Sequence, residues 1–252
     1  MFDPFARFYD LDYGDFADDL VFYRELARMA GGRVLEAMCG TGRVALPLAR
    51  AGLDVTGVDI APAMIERATQ RAAELRPRAR PRFLAADLLE LELPERFGFA
   101  FVAINSFMHL ETTEAQLAGL RRLHAHLEPG GLLALDLFNP NPAELAAADG
   151  SYVLDKTFAI PESGHLVQKF VARSVDFAAQ HVDVTFCYDE IAAGGQVLRQ
   201  ALGFGMRWLY RFEAEHLLAR AGFALHDLYG SYELDPYTSD APRLLVVARK
   251  DD

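Results

Sequence analysis

A chain of 252 residues, 52% of them hydrophobic, can bury the core of one large domain, or of one domain with an insertion. Its net charge of −11 sets it against a nucleic-acid backbone as partner. Cys39 and Cys187 are too few for a disulfide framework, and no signal peptide or apolar run of membrane-spanning length is present, so a cytoplasmic protein without a membrane partner is expected.

The first helical pattern covers residues 15–30, where Phe16, Leu20, Tyr23 and Leu26 recur at helical spacing and Gly31-Gly32 ends it. A strand follows at 33–38 and a helix at 43–51. A second strand covers 54–58. Pro62 then suits the first turn of a helix that runs to about 75 and stops near Pro77. A local basic run, Arg76, Arg78, Arg80 and Arg82, reads as a solvated loop. Strands at 82–86 and 99–105 follow, then a helix at 113–127 with Pro129-Gly130-Gly131 as its stop, then a strand at 132–138. This β/α alternation predicts a parallel sheet.

The pattern changes after Asn139. Val182, Val184, Phe186 and Tyr188 alternate with polar residues, as in a half-buried strand. Ala192-Ala193-Gly194-Gly195 makes a turn, and Leu198, Leu202, Phe204, Met206 and Trp208 line one face of a return strand. Residues 152–208 therefore predict an antiparallel insertion. It could cover a ligand site, pair two subunits through an exposed strand edge, or be a mere packing layer. A helix at 212–221 and strands at 223–229 and 244–248 complete the chain. The expected division is an N-terminal helical lid (1–32), a cofactor-binding core (33–140), the insertion (141–208) and a C-terminal completion of the core sheet (209–252).

In open α/β sheets ligands sit beyond the carboxyl ends of the parallel strands. The first such end carries Glu36, Met38, Gly40, Gly42 and Arg43. Gly40-x-Gly42-x-x-Ala45 formally fits a dinucleotide fingerprint, with Asp59 closing the second strand as a ribose-binding carboxylate. Glu36 argues otherwise, because its charge repels a pyrophosphate and attracts a cofactor carrying a sulfonium and an ammonium.

With these residues the segment 34–43 resembles motif I of class I S-adenosylmethionine (SAM)-dependent methyltransferases, usually acid-x-Gly-x-Gly-x-Gly. Met38 stands where the first glycine is usual. Val58-Asp59-Ile60-Ala61-Pro62-Ala63-Met64, Ala85-Ala86-Asp87-Leu88 and Glu128-Pro129-Gly130-Gly131 resemble the later motifs in order. The resemblance implies a doubly wound, Rossmann-like, mostly parallel seven-stranded sheet with the antiparallel insertion after strand five. It implies SAM as cofactor and methyl transfer to nitrogen or oxygen of a small molecule. A protein or RNA acceptor, or SAM binding without catalysis, is the alternative.

By the same resemblance Asp59 accepts the ribose hydroxyls, Ile60 and Met64 pack on adenine, and Asp87 and the Leu88 N–H read its edge. Arg43 is either a partner of the cofactor carboxylate or a solvated helix arginine. Glu36, the backbone at Gly40 and Gly42, and the Asn105 carbonyl face the methionine end. Tyr9-Asp10-x-x-Tyr13 resembles the lid of small-molecule and amino-sugar N-methyltransferases, with Tyr9 and Tyr13 over the cofactor. His109, beyond strand four, is the candidate base. Asp136, Tyr210, Arg211, Tyr232 and Tyr237 are weaker candidates for acceptor binding. The loop 232–240 is expected on the active face. His124 and His126 are expected at the surface, and no metal ligands are expected.

Overall fold

Apolar strands flanked by amphipathic helices leave one way to bury both faces of a sheet, and the chain takes it. The computed structural model describes residues 2–76, 80–161 and 163–251. Pro77 and Arg78 lie outside them. In chain order the elements are α1 (Ala6–Tyr13), α2 (Leu20–Ala30), β1 (Val34–Ala37), α3 (Ala45–Arg50), β2 (Val55–Asp59), α4 (Pro62–Ala73), β3 (Arg82–Ala85), β4 (Phe97–Val102), α5 (Thr113–His126) and β5 (Leu127–Phe138). There follow α6 (Pro142–Ala148), β6 (Tyr152–Ala159), β7 (Leu166–Asp176), β8 (His181–Ile191), β9 (Val197–Arg207), α7 (Arg211–Arg220), β10 (Phe223–Tyr229) and β11 (Arg243–Lys250).

Seven strands form the main sheet in the order β10-β11-β5-β4-β1-β2-β3, parallel except for β11. One face packs on α5 and α7 through Phe97, Leu120, Leu133 and Leu217. The other packs on α2 and α3 through Tyr23, Leu48, Phe99 and Phe101. The insertion is a separate antiparallel sheet, β6-β7-β8-β9.

Three local expectations differ from the structure. The helix expected over 15–30 starts only at Leu20, and a separate helix, α1, precedes it. The linker between them is held by Arg43, which donates to the Phe16 carbonyl and to both oxygens of Asp19. Pro129-Gly130-Gly131 does not stop the chain between elements. It bulges out of β5, so that Leu127 still pairs with Phe97 while Leu132 pairs with Phe99. Helix α6 was not expected. Pro142 opens it, and the Asn141 side chain accepts from the Ala143 N–H at 2.9 Å. Arg76, Arg80 and Arg82 of the basic run are exposed, as expected, while Arg80 donates to the Ala73 and Leu75 carbonyls at the end of α4 and Arg82 pairs with Glu95.

Helix α1 lies between α4 and the second sheet. Phe8 stacks on Tyr188 with centroids 4.2 Å apart, and both are buried. Burying such a ring contributes about 1.5–3 kcal/mol. The acids of the N-terminal segment each take a different anchor. Asp3 accepts from the Ala63 N–H, at the start of α4. Asp10 accepts from Thr41 at 2.6 Å and from Arg71 at 2.8 Å. Asp12, buried, meets Lys169 of β7 at 2.6 Å.

Asp136, near the end of β5, is fully buried. Its Oδ2 accepts from Tyr23 (2.9 Å), Tyr232 (2.8 Å) and the Ile104 N–H (3.1 Å), and Arg243 donates to Oδ1 through Nε (2.9 Å) and a second nitrogen. Ile104 and Asn105 both have positive φ, 38° and 61°. For a β-branched residue this is a strained turn. Asp136 holds it from both sides, because the Asn105 N–H donates to its main-chain carbonyl at 2.8 Å.

Asp136→Ala is expected to cost roughly 3–5 kcal/mol, since it leaves Arg243 buried without its counter-charge; urea unfolding measures this, and a loss under about 1 kcal/mol would remove Asp136 from its central place. Met38 also has positive φ, 59°. The usual glycine of this turn is thus replaced by a residue that adopts the glycine conformation under strain. Met38→Gly is therefore expected to be about 1 kcal/mol more stable than Met38→Ala, the reverse of the helical order of these residues. Equal unfolding midpoints would show that the turn carries no strain there.

Candidate active site

The turns after β1, β2, β3 and β4 open onto two adjoining cavities of about 220 and 260 Å³. Phe2, Tyr9, Met64, Ser106 and His109 line both, so the cavities meet at these side chains. Their joint size is that of a ligand cleft rather than of a few trapped waters.

The first cavity runs along the carboxyl ends of β1, β2 and β3. Met38, Gly40, Asp59, Ile60, Met64, Asp87 and Leu88 line it. Asp59 accepts from the Gly40 N–H at 2.8 Å through Oδ2 and from the Ala61 N–H at 2.9 Å through Oδ1. It thereby pins the glycine turn to the end of β2 and keeps further lone pairs for a ligand. Burial raises its pKa, with the two N–H groups opposing. Asp87 uses one oxygen on the Leu89 N–H at 2.9 Å. Ile60 is 52% exposed, an apolar side chain facing the open cleft. At Gly40, with φ 53°, a Cβ would stand 3.4 Å from the Tyr9 ring, so a side chain there would crowd the cavity where that ring meets the turn.

Glu36, Gly42 and Arg43 line neither cavity and support the turn from behind. At Gly42 a Cβ would fall 2.6 Å from the Phe83 ring, so glycine permits the turn to pack on β3. The Glu36 carboxylate accepts from the Ala45 N–H at 2.8 Å and so caps α3. The first N–H of α3 therefore points at Glu36 and not into either cavity. Burial raises the Glu36 pKa to about 8, opposed by Arg43 and the Ala45 N–H, so near neutrality this acid is largely uncharged. Arg43 is neither solvated nor free, as it is 6% exposed and forked onto Asp19. Only its Nε is buried without a partner among the described residues.

The second cavity lies between the turn after β4 and the inner face of the second sheet. Tyr9 and Tyr13 of α1 close one side, with ring centroids 5.2 Å apart. Burial pushes both phenols well above their ordinary range. Arg173, Phe186, Phe204 and Met206 come from the insertion, which therefore walls this cavity. Asn105 lines this cavity too, but its carbonyl already accepts from the Met108 N–H, and its side chain accepts from Arg243.

His109 sits at the junction between the rings of Phe2 (4.9 Å) and Phe204 (5.2 Å). Its Nδ1 lies 3.1 Å from the Gly205 carbonyl, which can only accept, so the proton is on Nδ1 and the lone pair on Nε2. Burial pushes its pKa below the ordinary 6.5, against the Gly205 carbonyl and the Glu111 charge.

Several weaker candidates prove structural. Asp136 is saturated by its four donor groups, and Tyr232 is one of them. Tyr237 donates to Asn139, and Arg211 pairs with Glu215. None of these, nor Tyr210, lines either cavity, although the 232–240 loop does lie at the carboxyl edge of the sheet, as expected, against Asp136 and Asn139. His126 is buried, not at the surface: it accepts from the Leu93 N–H through Nε2 at 2.9 Å. His124 is half-buried against Phe223. Phe2 and Arg173 are lining residues that the motifs did not indicate. The alternation of β7 was the available signal for Arg173.

Comparison with known proteins agrees with this geometry. Residues 34–131 match the family model described as a methyltransferase domain. A cypemycin N-terminal methyltransferase from a Streptomyces species is 26% identical over 220 residues, covering 87% of this chain and 84% of that protein. Among solved structures, the CcbJ methyltransferase from Streptomyces caelestis superposes with a TM-score of 0.78 at 23% identity, covering 94% of this chain and 91% of that one. SAM-bound CalS10, an amino pentose methyltransferase from Micromonospora echinaspora, gives 0.70 at 22% identity, covering 92% and 90%. Residues 34–131 are thus a methyltransferase domain, and the chain as a whole has the fold of the SAM-dependent methyltransferases, with its seven-stranded sheet and glycine turn on Asp59.

Proposed function

We propose that the protein transfers the methyl group of SAM to a nitrogen or oxygen of a small molecule, an amine being the favoured acceptor. The observation that carries this reading is the junction of the two cavities at His109, with a neutral imidazole whose Nε2 is free to accept. The names of relatives support an amine, since one is a cypemycin N-terminal methyltransferase and another an amino pentose methyltransferase. The size of the second cavity, about 260 Å³, and its partial cover by α1 favour a small acceptor over a folded macromolecule.

The residues fit the cofactor. The free lone pairs of Asp59 suit ribose hydroxyls, the exposed side chain of Ile60 and the buried one of Met64 that line the cavity suit a flat base, and the remaining oxygen of Asp87 suits its amino group. When bound, SAM supplies an activated methyl on a cationic sulfur. The chain's own work is to align the acceptor, to exclude water with α1, and to hold at His109 Nε2 the proton that the acceptor sheds. Tyr9 and Tyr13 act as the closing surface in this reading. Arg43 serves the turn, with its unpartnered Nε the one donor left over.

Calorimetry should give micromolar binding of SAM and S-adenosylhomocysteine and none of NAD. Asp59→Ala should weaken the adenosyl ligands by roughly 1.5–3 kcal/mol. Wild-type affinity in a variant with an unchanged melting curve would end the ribose role of Asp59.

The pH dependence follows from His109. Its folded-state pKa is depressed, so the neutral base persists below pH 6.5 and is lost as pH falls through the lowered value. With an acceptor that does not itself titrate between about pH 5 and 8, kcat/KM should show an acid limb below 6.5. His109→Gln should remove that limb and lower kcat by about 10²-fold or more. An unchanged limb in the variant would assign the proton transfer elsewhere.

A further inference from the structure

The inner face of the second sheet carries two cations four residues apart on β7, Lys169 and Arg173, and they are treated differently. Lys169, 2% exposed, is met by Asp12 at 2.6 Å and by Asp155 at 3.0 Å. Arg173 lines the second cavity, and among the described residues its guanidinium has no ion-pair partner and donates no hydrogen bond. Its cross-strand neighbour is Val184, and Val184 in turn faces Phe204. The nearby wall is Phe5, Phe186 and Met206. A half-buried guanidinium set in such a wall loses hydration and regains nothing from the protein. Among the described residues no carboxylate is placed to repay it, although Asp12 and Asp155 repay Lys169.

We propose that Arg173 is a specificity-determining residue that binds an anionic group, a carboxylate or a phosphate, on the methyl acceptor. This rests on the reading of the second cavity as the acceptor site. The planar fork of a guanidinium matches either anion with two parallel hydrogen bonds. Arg173 lines only the second cavity, whereas Ser106 and His109 line both. The acceptor therefore reaches from its methylated atom at the junction, across an apolar stretch packed on Phe186 and Phe204, to an anionic end at Arg173. The same positive charge disfavours an acceptor with a second cationic group at that end.

Matched pairs of arylalkyl amines test this, each pair differing only by a carboxylate or by a phosphate ester. Binding to the protein saturated with S-adenosylhomocysteine is measured by calorimetry, so that turnover is not required. The anionic member should bind about tenfold or more tightly than its neutral twin. Arg173→Gln should abolish that preference while leaving the neutral twin and S-adenosylhomocysteine bound as before. Arg173→Lys should keep part of it. The stronger of the two anion series tells which chemistry is taken. Equal binding of both twins to the wild type, a preference that survives in Arg173→Gln, or no binding by any anionic member would overturn the proposal. Failure to bind S-adenosylhomocysteine at all would instead overturn the reading of the first cavity.

Discussion

One buried carboxylate organises the catalytic edge of the sheet. Asp136 joins α2 through Tyr23, the loop after β10 through Tyr232, and β11 through Arg243. Above all it holds the turn of Ile104 and Asn105, whose positive φ values local preference opposes. That turn launches the short helical segment Ser106–His109, so the place of His109 depends on it. The pair with Arg243 is weak evidence for net stability, because desolvating both ions offsets most of their attraction. Its physical effect is directional. Five hydrogen bonds converge on one residue side chain and leave a single arrangement of the strand end.

The second constraint is electrostatic placement of α1. Asp3, Asp10 and Asp12 lie within ten residues and reach α4, the glycine turn and the second sheet respectively. The pairs of Asp10 with Arg67 and Arg71 are partly exposed and contribute a kcal/mol or less. Asp12 with Lys169 is buried, and breaking it leaves a charge without water or partner. The acidity of this segment is thus a set of specific contacts. With the Phe8–Tyr188 stack they fix Tyr9 against Gly40.

The main sheet was legible because its signals are local. Alternating apolar periods, Pro62 at a helix start and glycines at left-handed turns each depend on a few neighbouring residues. Asp59, Asp87 and the Tyr9–Tyr13 pair were legible as site candidates for the same reason, since they belong to short ordered motifs. The supporting roles were not legible. Glu36 reads as a charged ligand group in the motif, yet nothing local says that burial will raise its pKa to about 8 and turn it to the Ala45 N–H. Arg43 reads as a helix arginine, and only the fold brings Asp19 to it. Asp136 reads as an acceptor-binding acid because it follows an apolar strand, and its saturation comes from residues as distant as Arg243. His126 lies on a helix face that the β3–β4 loop covers through Leu93, a contact no helical period can announce.

Around the cavities, burial pushes titratable groups toward their neutral forms. The pKa values of Asp59 and Glu36 rise, those of Tyr9 and Tyr13 rise far above their ordinary range, and that of His109 falls. A site poor in mobile charge suits the reaction proposed. Methyl transfer to a neutral amine moves one positive charge from sulfur toward nitrogen, and the transition state spreads it over both. Surroundings of low polarity disfavour the concentrated charge of the reactants more than the dispersed charge between them, whereas water would favour the reverse. In this reading the aromatic wall of the second sheet and α1 above it do more than shape a pocket. They keep the space between cofactor and acceptor dry, and His109 neutral, while Arg173, unpaired among the described residues, stands away from the junction where the methyl group moves.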